Sequence, residues 1–206
     1  MSELATLDGR DVDLAGLIGA RICHDLISPI GAIGNGLELL ELSGASDHTP
    51  EMTLVAESQR ACVARIGFFR VAFGPAGADA LIAPADADRL IADFARDGRT
   101  SPVWRVETAL SRAELRFGFL AYLCLDTALP RRCSVEMRHE GGRWQLLTQG
   151  ALPRLDKALW GGLTDPGQTL EVTPATVQFA LLAEAARTAG RDIRLDVDAE
   201  AVTLFI

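Results

Sequence analysis

The stretch RICHDLISPIGAIGNGLELLEL, residues 21–42, sets one histidine, His24, beside an aspartate, Asp25, inside an apolar helical pattern, with Ser28 one turn on and Pro29 after it. A free imidazole has a pKa of about 6.5 and is largely neutral at cell pH, so a bare ring nitrogen can attack phosphorus and form a transferable phosphohistidine. Which nitrogen attacks depends on what holds the other. Asp25 can accept from one ring N–H and fix the tautomer, as the aspartate of a hydrolase triad does. Adjacent helical residues point about 100° apart, so its carboxylate has to bend toward the ring. Pro29 removes the helical bond to the carbonyl of Asp25 and predicts a kink beside the histidine. The bland rival is that His24 is an ordinary surface residue. His48 and His139 lie far from it without ligand spacing, which gives no support to a metal hydrolase. Cys23, Cys62, Cys124 and Cys133 form no CxxC pair, so they read as small buried residues rather than as a zinc ribbon or disulfide frame.

The elements that must position His24 follow from periodicity. From Val12 to Leu42 the pattern is helical, with Leu26, Ile30, Ile33, Leu37 and Leu40 as a packing seam at alternating spacings of four and three. At about 1.5 Å per residue this helix is roughly 45 Å long and needs a second helix along it. Thr49 is a candidate N-cap before Pro50, and residues 50–73 carry Met52, Val55, Cys62, Ile66, Phe69 and Phe73 on a similar rhythm. The two make a hairpin whose wide apolar face needs cover, either from the C-terminal half or from a second copy. The expectation is a homodimer with a four-helix bundle at its centre. On the helical wheel His24 lies about 200° from Ile22 and Leu26 and faces solvent, among Ala20, Arg21, Ile27 and Ser28, with Gly31 and Asn35 further along. Small residues there leave a smooth surface on which another protein can dock. Gly34, Asn35 and Gly36 weaken the helix, and only a close approach of a partner or of another helix accounts for them.

The chain has 206 residues, 49% hydrophobic and 23% charged, an ordinary globular balance, and a formal net charge of −8. Acidity argues against nucleic acid as the main partner. The start has neither a basic region nor an apolar signal core, and no apolar run is long enough to span a membrane, so a cytoplasmic protein is expected. A Gly/Ala-rich boundary at 74–83 divides a hairpin over residues 1–76 from a second region over 77–206. In the latter the patterns predict a helix at 84–97, a strand at 102–107, and a buried helix at 111–128 with a Ser111/Glu114 capping box. A hairpin of CSVEMRHE and RWQLLTQ turning at Gly-Gly, a helix at 173–189 ending before Gly190, and a last hairpin follow. The fold class is α+β, with helices on one face of a mostly antiparallel sheet, a two-layer sandwich.

ICHDLISPIGAIGNGLELL resembles the phosphoacceptor helix of histidine kinases, and the fuller match, including PATVQ at 174–178, resembles the histidine phosphotransferases of the alphaproteobacterial cell-cycle phosphorelay, the ChpT-like family. The resemblance is close over residues 18–42 and looser elsewhere. It implies a dimeric four-helix bundle followed by a domain similar to the ATP-binding domain of histidine kinases but without nucleotide activity. It also implies that His24 is the phosphoacceptor, Asp25 the adjacent acid, and Ser28 the polar residue that handles the acceptor or a water. Ile27, Gly31 and Ala32 would meet the receiver domains of a hybrid histidine kinase and of response regulators. The chain itself would bind no cofactor and no ATP, with Mg2+ held by the receiver. The sequence agrees with lost ATP binding: Asp126 is the sole candidate magnesium ligand on FLAYLCLDTALP, LLTQGALPRL has no carboxylate where an Asp-Gly turn belongs, and Gly161-Gly162 and the DPG at 165–167 make no phosphate cradle. A Gly pair reads as a turn. Two rivals are a histidine kinase with degenerate ATP boxes and a non-catalytic dimeric adaptor.

Overall fold

Asp13 starts the first helix: its Oδ1 accepts from Gly16 N at 2.8 Å, and α1 (Leu14–Ser43) runs for 30 residues, continuing through a buried Pro29. This computed structural model describes residues 6–7, 10–11, 13–43, 49–75, 81–96, 98–149, 154–198 and 201–206. Ahead of α1, β1 (Thr6–Leu7) pairs antiparallel with β2 (Arg10–Asp11). Thr49 caps α2 (Pro50–Ala72) by accepting from Met52 N at 3.3 Å, and Pro50 takes the first position, where its missing N–H costs nothing.

The seam between the two helices differs from the one the spacing suggested. Pro29 and Gly36 are buried on α1, with Ile22, Leu26, Ile33 and Leu40 half-buried, against Ser58, Cys62 and Phe69 of α2. Ile30, Leu37, Met52 and Ile66 are exposed instead. Advancing about 100° per residue, positions 22, 26, 29, 33, 36 and 40 form one stripe, and 30, 34 and 37 form the stripe beside it. A residue pattern cannot say which of two adjacent stripes meets the nearer neighbour. Gly36 is explained: a Cβ there would lie 2.5 Å from Val55 Cγ2, so the helices touch backbone to side chain. Cys23 also departs from expectation, being exposed beside the second stripe, whereas Cys62 and Cys124 are buried and Cys133 is half-buried.

The second region is the expected two-layer sandwich. β3 (Leu81–Ile82) pairs with β5 (Leu110–Ser111) as a small separate ladder beside α3 (Pro84–Ala95). The main sheet comprises β4 (Thr100–Trp104), β6 (Cys133–Glu140), β7 (Arg143–Gln149), β8 (Arg194–Val197) and β9 (Ala201–Phe205) in the order β4-β6-β7-β9-β8. Only β4–β6 is parallel. β4 ends earlier than predicted and lies at the edge, the position in a sheet that tolerates Pro102. Gly141 and Gly142 turn the β6–β7 hairpin with φ of +57° and +77°, values that glycine adopts without strain.

α4 (Arg112–Ala128) is apolar all round because it is covered all round, by the sheet, by α2 and by α6 (Val177–Ala189). Gly118 lets it settle on the sheet, since a Cβ there would meet the Trp144 ring at 2.7 Å. Only half of the capping box forms. Ser111 Oγ accepts from Glu114 N, but the Glu114 carboxylate turns away to Arg191 at 2.7 and 2.8 Å and to His139 at 3.0 Å, because a bidentate arginine pair is the stronger partner. The predicted 173–189 helix begins with a 3-10 turn, Pro174–Thr176, before α6. Gly161 and Gly162 lie inside a helix, α5 (Lys157–Thr164), rather than in a turn. A Cβ on Gly162 would lie 3.0 Å from Leu170, so the glycine is closely packed against that residue.

The hairpin and the sandwich share one core. Phe68 near the end of α2 stacks on Phe94 at 3.9 Å and on Phe119 of α4 at 4.7 Å. This aromatic column ties α2 of the hairpin to α3 and α4.

Candidate active site

His24 projects from the middle of α1 with its side chain 84% exposed. Its Nδ1 lies 3.0 Å from Asp25 Oδ1, so the carboxylate does bend back to the neighbouring ring. As an ionised acceptor, Asp25 selects the tautomer with hydrogen on Nδ1 and leaves Nε2 with its lone pair outward. Arg21, one turn earlier, donates from Nε to Asp25 Oδ2 at 2.7 Å and from Nη1 to the carbonyl of Ala175 at 2.7 Å. Ala175 belongs to the 3-10 turn of the second region, so the chain Ala175–Arg21–Asp25–His24 crosses from one region to the other.

Across from the histidine lies a groove of about 280 Å³. His24, Asp25 and Ser28 of α1 and Arg65 of α2 form one side. Phe94, Ala95, Gly98, Arg99, Tyr122 and Asp126 form the other. The three residues the sequence singled out for chemistry therefore share one wall. Of the three expected at a docking surface, Ile27 is 71% exposed, Gly31 is exposed with no atom within 4 Å of a would-be Cβ, and Ala32 is half-buried.

Asp126 is already engaged, accepting from the Thr100 hydroxyl at 2.7 Å. Tyr122 beside it donates to the Thr100 carbonyl at 3.2 Å, and burial pushes its phenol well up, with the Asp126 charge adding to the rise. With Arg65 and Arg99 on the same groove, Asp126 is a poor ion cage. Among the described residues no group of three or more His, Cys, Asp or Glu side chains could hold a metal ion. His139 serves Glu114 instead, and His48 lies outside the described residues.

Residues 84–201, more than half of the chain, match the family model for the histidine phosphotransferase C-terminal domain. The chain belongs to the histidine phosphotransferase family. It is 38% identical over 152 residues to the protein phosphotransferase ChpT of Brucella abortus (strain 2308), covering 70% of this chain and 71% of that one. The solved structure of a bacterial phosphotransferase superposes with a TM-score of 0.78 at 31% identity, covering 99% of each chain. That likeness spans the hairpin, with the helix bearing His24, as well as the sandwich.

Sequence reasoning placed Arg21 beside His24 without giving it a role, and gave Arg65 none. Arg21 had a signal, since Arg21 and Asp25 are an i, i+4 pair of opposite charge. Arg65 and Ala175 had none in spacing, because they reach the site only through the packing of α2 and of the 3-10 turn.

Proposed function

We propose that this phosphotransferase takes a phosphoryl group from the receiver domain of a hybrid histidine kinase onto His24 and passes it to the receiver aspartate of a response regulator. The observation that carries the reading is the outward Nε2 of an imidazole whose Nδ1 is held by Asp25. In the first step the Nε2 lone pair forms the N–P bond while the P–O bond to the donor aspartate breaks, its electrons leaving on that carboxylate. Nδ1 keeps its proton, and the positive charge that grows on the ring is stabilised by the Asp25 carboxylate. In the second step the acceptor carboxylate attacks phosphorus, the N–P electrons return to Nε2, and the ring leaves neutral with its proton still on Nδ1. No proton needs to be gained or lost, which suits a reversible carrier. Ser28, one turn from His24 on the same wall, orients the incoming group. Ile27, Gly31 and Ala32 form the adjoining receiver surface.

Magnesium in this reading comes with the receiver, where it neutralises the transferred charge; the engaged Asp126 supports that division. No ATP-dependent autokinase activity is expected, because the Gly161-Gly162 pair sits in a helix where Gly162 is packed against Leu170. Residues 150–153, where an Asp-Gly turn would fall, lie outside the described residues. The proposed division of labour gives residues 1–76 the phosphoacceptor and dimer contact and residues 77–206 the recognition role. The homodimer is supported by the exposed stripe of Ile30, Leu37, Met52, Val63 and Ile66, and Gly34 within it leaves room for close approach. No helix among the described residues is long and apolar enough to cross a membrane. With the net charge of −8, this supports a cytoplasmic site of action and a protein partner rather than nucleic acid or membrane.

The test is uptake of label from a radiolabelled phosphorylated receiver by the wild-type protein and by His24→Ala, with labelled ATP as a separate donor. Transfer from the receiver to wild type alone is the expected result. Label arriving from ATP, or on His24→Ala, would overturn the reading.

A further inference from the structure

We propose that Arg21 is a positioning residue for phosphoryl transfer, and that the second region of the chain takes part in the chemistry by anchoring Arg21 through the carbonyl of Ala175. The inference rests on the reading of His24 as the phosphoacceptor. The last torsion of an aspartate is broad and nearly free, so the α1 backbone does not by itself turn the Asp25 carboxylate toward a residue about 100° away on the wheel. A second partner has to set its plane. Arg21 Nε occupies Oδ2 at 2.7 Å, which leaves Oδ1 directed at His24 Nδ1 at 3.0 Å. The guanidinium in turn needs an anchor, and Nη1 finds one at the Ala175 carbonyl, 2.7 Å away. Ala175 is itself held. It sits in the 3-10 turn between Thr173 and Thr176, where Thr176 Oγ1 accepts from Thr173 N at 2.9 Å.

Arg21 and Asp25 are each only 18% exposed, so the one bond they share is partly shielded from water, while the bonds to His24 and to the Ala175 carbonyl at either end lie in solvent. The planar guanidinium fixes its donors relative to one another and loses less freedom per bond than a flexible lysine ammonium, so it is the better group to serve both acceptors. The order of α1 against the PATVQ turn is therefore read out at the ring as a choice of tautomer. A domain without ATP chemistry thereby keeps a part in the reaction.

The experiment uses the full chain with 15N-labelled histidine. Ring-nitrogen chemical shifts of His24 are followed in wild type, Arg21→Ala and Arg21→Lys, alongside the rate of transfer from a phosphorylated receiver. Wild type should show hydrogen on Nδ1 and a bare Nε2. Arg21→Ala should show a mixture of tautomers and a rate lower by about tenfold, the worth of one charged hydrogen bond, with partial recovery on adding guanidinium ion. Arg21→Lys, which keeps the charge, should fall between the two; if Arg21→Ala does not fold, Arg21→Lys alone carries the comparison. An unchanged tautomer in the variants overturns the proposal, as does a rate loss that guanidinium does not recover. The tautomer is measured without a phosphoryl donor, so it stands or falls separately from the uptake test on His24.

Discussion

Replacing Ile30 and Leu37 by glutamate should convert the proposed homodimer to a monomer without unfolding the hairpin. Ile30, Leu37, Met52, Val63 and Ile66 are between 40% and 58% exposed in the single chain. On the wheels of two antiparallel helices all five project from the same side of the hairpin, opposite the side that bears His24 and Arg65. Full burial of such a side chain stabilises by about 1.5–3 kcal/mol, so covering the exposed half contributes about 1 kcal/mol each. Over two copies that is on the order of 10 kcal/mol, comparable with the roughly 4–15 kcal/mol that association costs. The proposed dimer therefore depends on the whole stripe. I30E/L37E removes two contributions from each copy, about 4 kcal/mol together, and turns four carboxylates toward the contact. The dissociation constant should rise on the order of a thousandfold or more. Sedimentation velocity over a wide concentration range reads this directly, with helix content from circular dichroism as the control. A wild type that stays monomeric at the highest concentration would refute the reasoning, and so would a double variant that sediments as the wild-type dimer.

Two further outcomes test the packing and the electrostatics. Gly36→Ala sets a methyl 2.5 Å from Val55 Cγ2 and should lower stability by about 1–3 kcal/mol; adding Val55→Ala should recover part of that in a denaturant titration, and an additive pair would show that the contact is not the cause. The Glu114 carboxyl is held below its ordinary value: burial alone would raise it, but the bidentate Arg191 pair and His139 together outweigh burial. Its stabilisation is complete above the ordinary value of 4.5 and is lost as pH falls through the lower folded value. Glu114→Gln should flatten that acid limb in thermal melts taken across the carboxylate range, and an unchanged pH slope would count against the pair as a stabilising element.

Much of the chemistry was legible because it is local. His24, Asp25 and Ser28 fall within two turns of one helix, and the identity of each and the 100° rotation between them are enough to say that a carboxylate must hold the ring. The caps at Thr49 and Ser111, the Gly141-Gly142 turn and the end of α6 at Gly190 were legible for the same reason, since each is a bond or a dihedral within a few residues. The seam of α1 was misread because periodicity finds apolar stripes without naming what lies against each; Ile30 and Leu37 satisfy the same three-four rhythm as Pro29, Ile33 and Gly36. The Glu114 side chain left its cap because Arg191, 77 residues on, was brought to it. Gly161 and Gly162 could be told from a turn only once Gln168 and Leu170 stood over them. By itself, then, the sequence determined the helix and the placing of a histidine and an acid side by side on it. Tertiary structure decided which face of that helix is buried, which is left bare, and how Arg21 is tied to Ala175, because those depend on contacts between separate segments, Gly36 with Val55 of the next helix and Arg21 with a carbonyl 154 residues on, that only packing brings together.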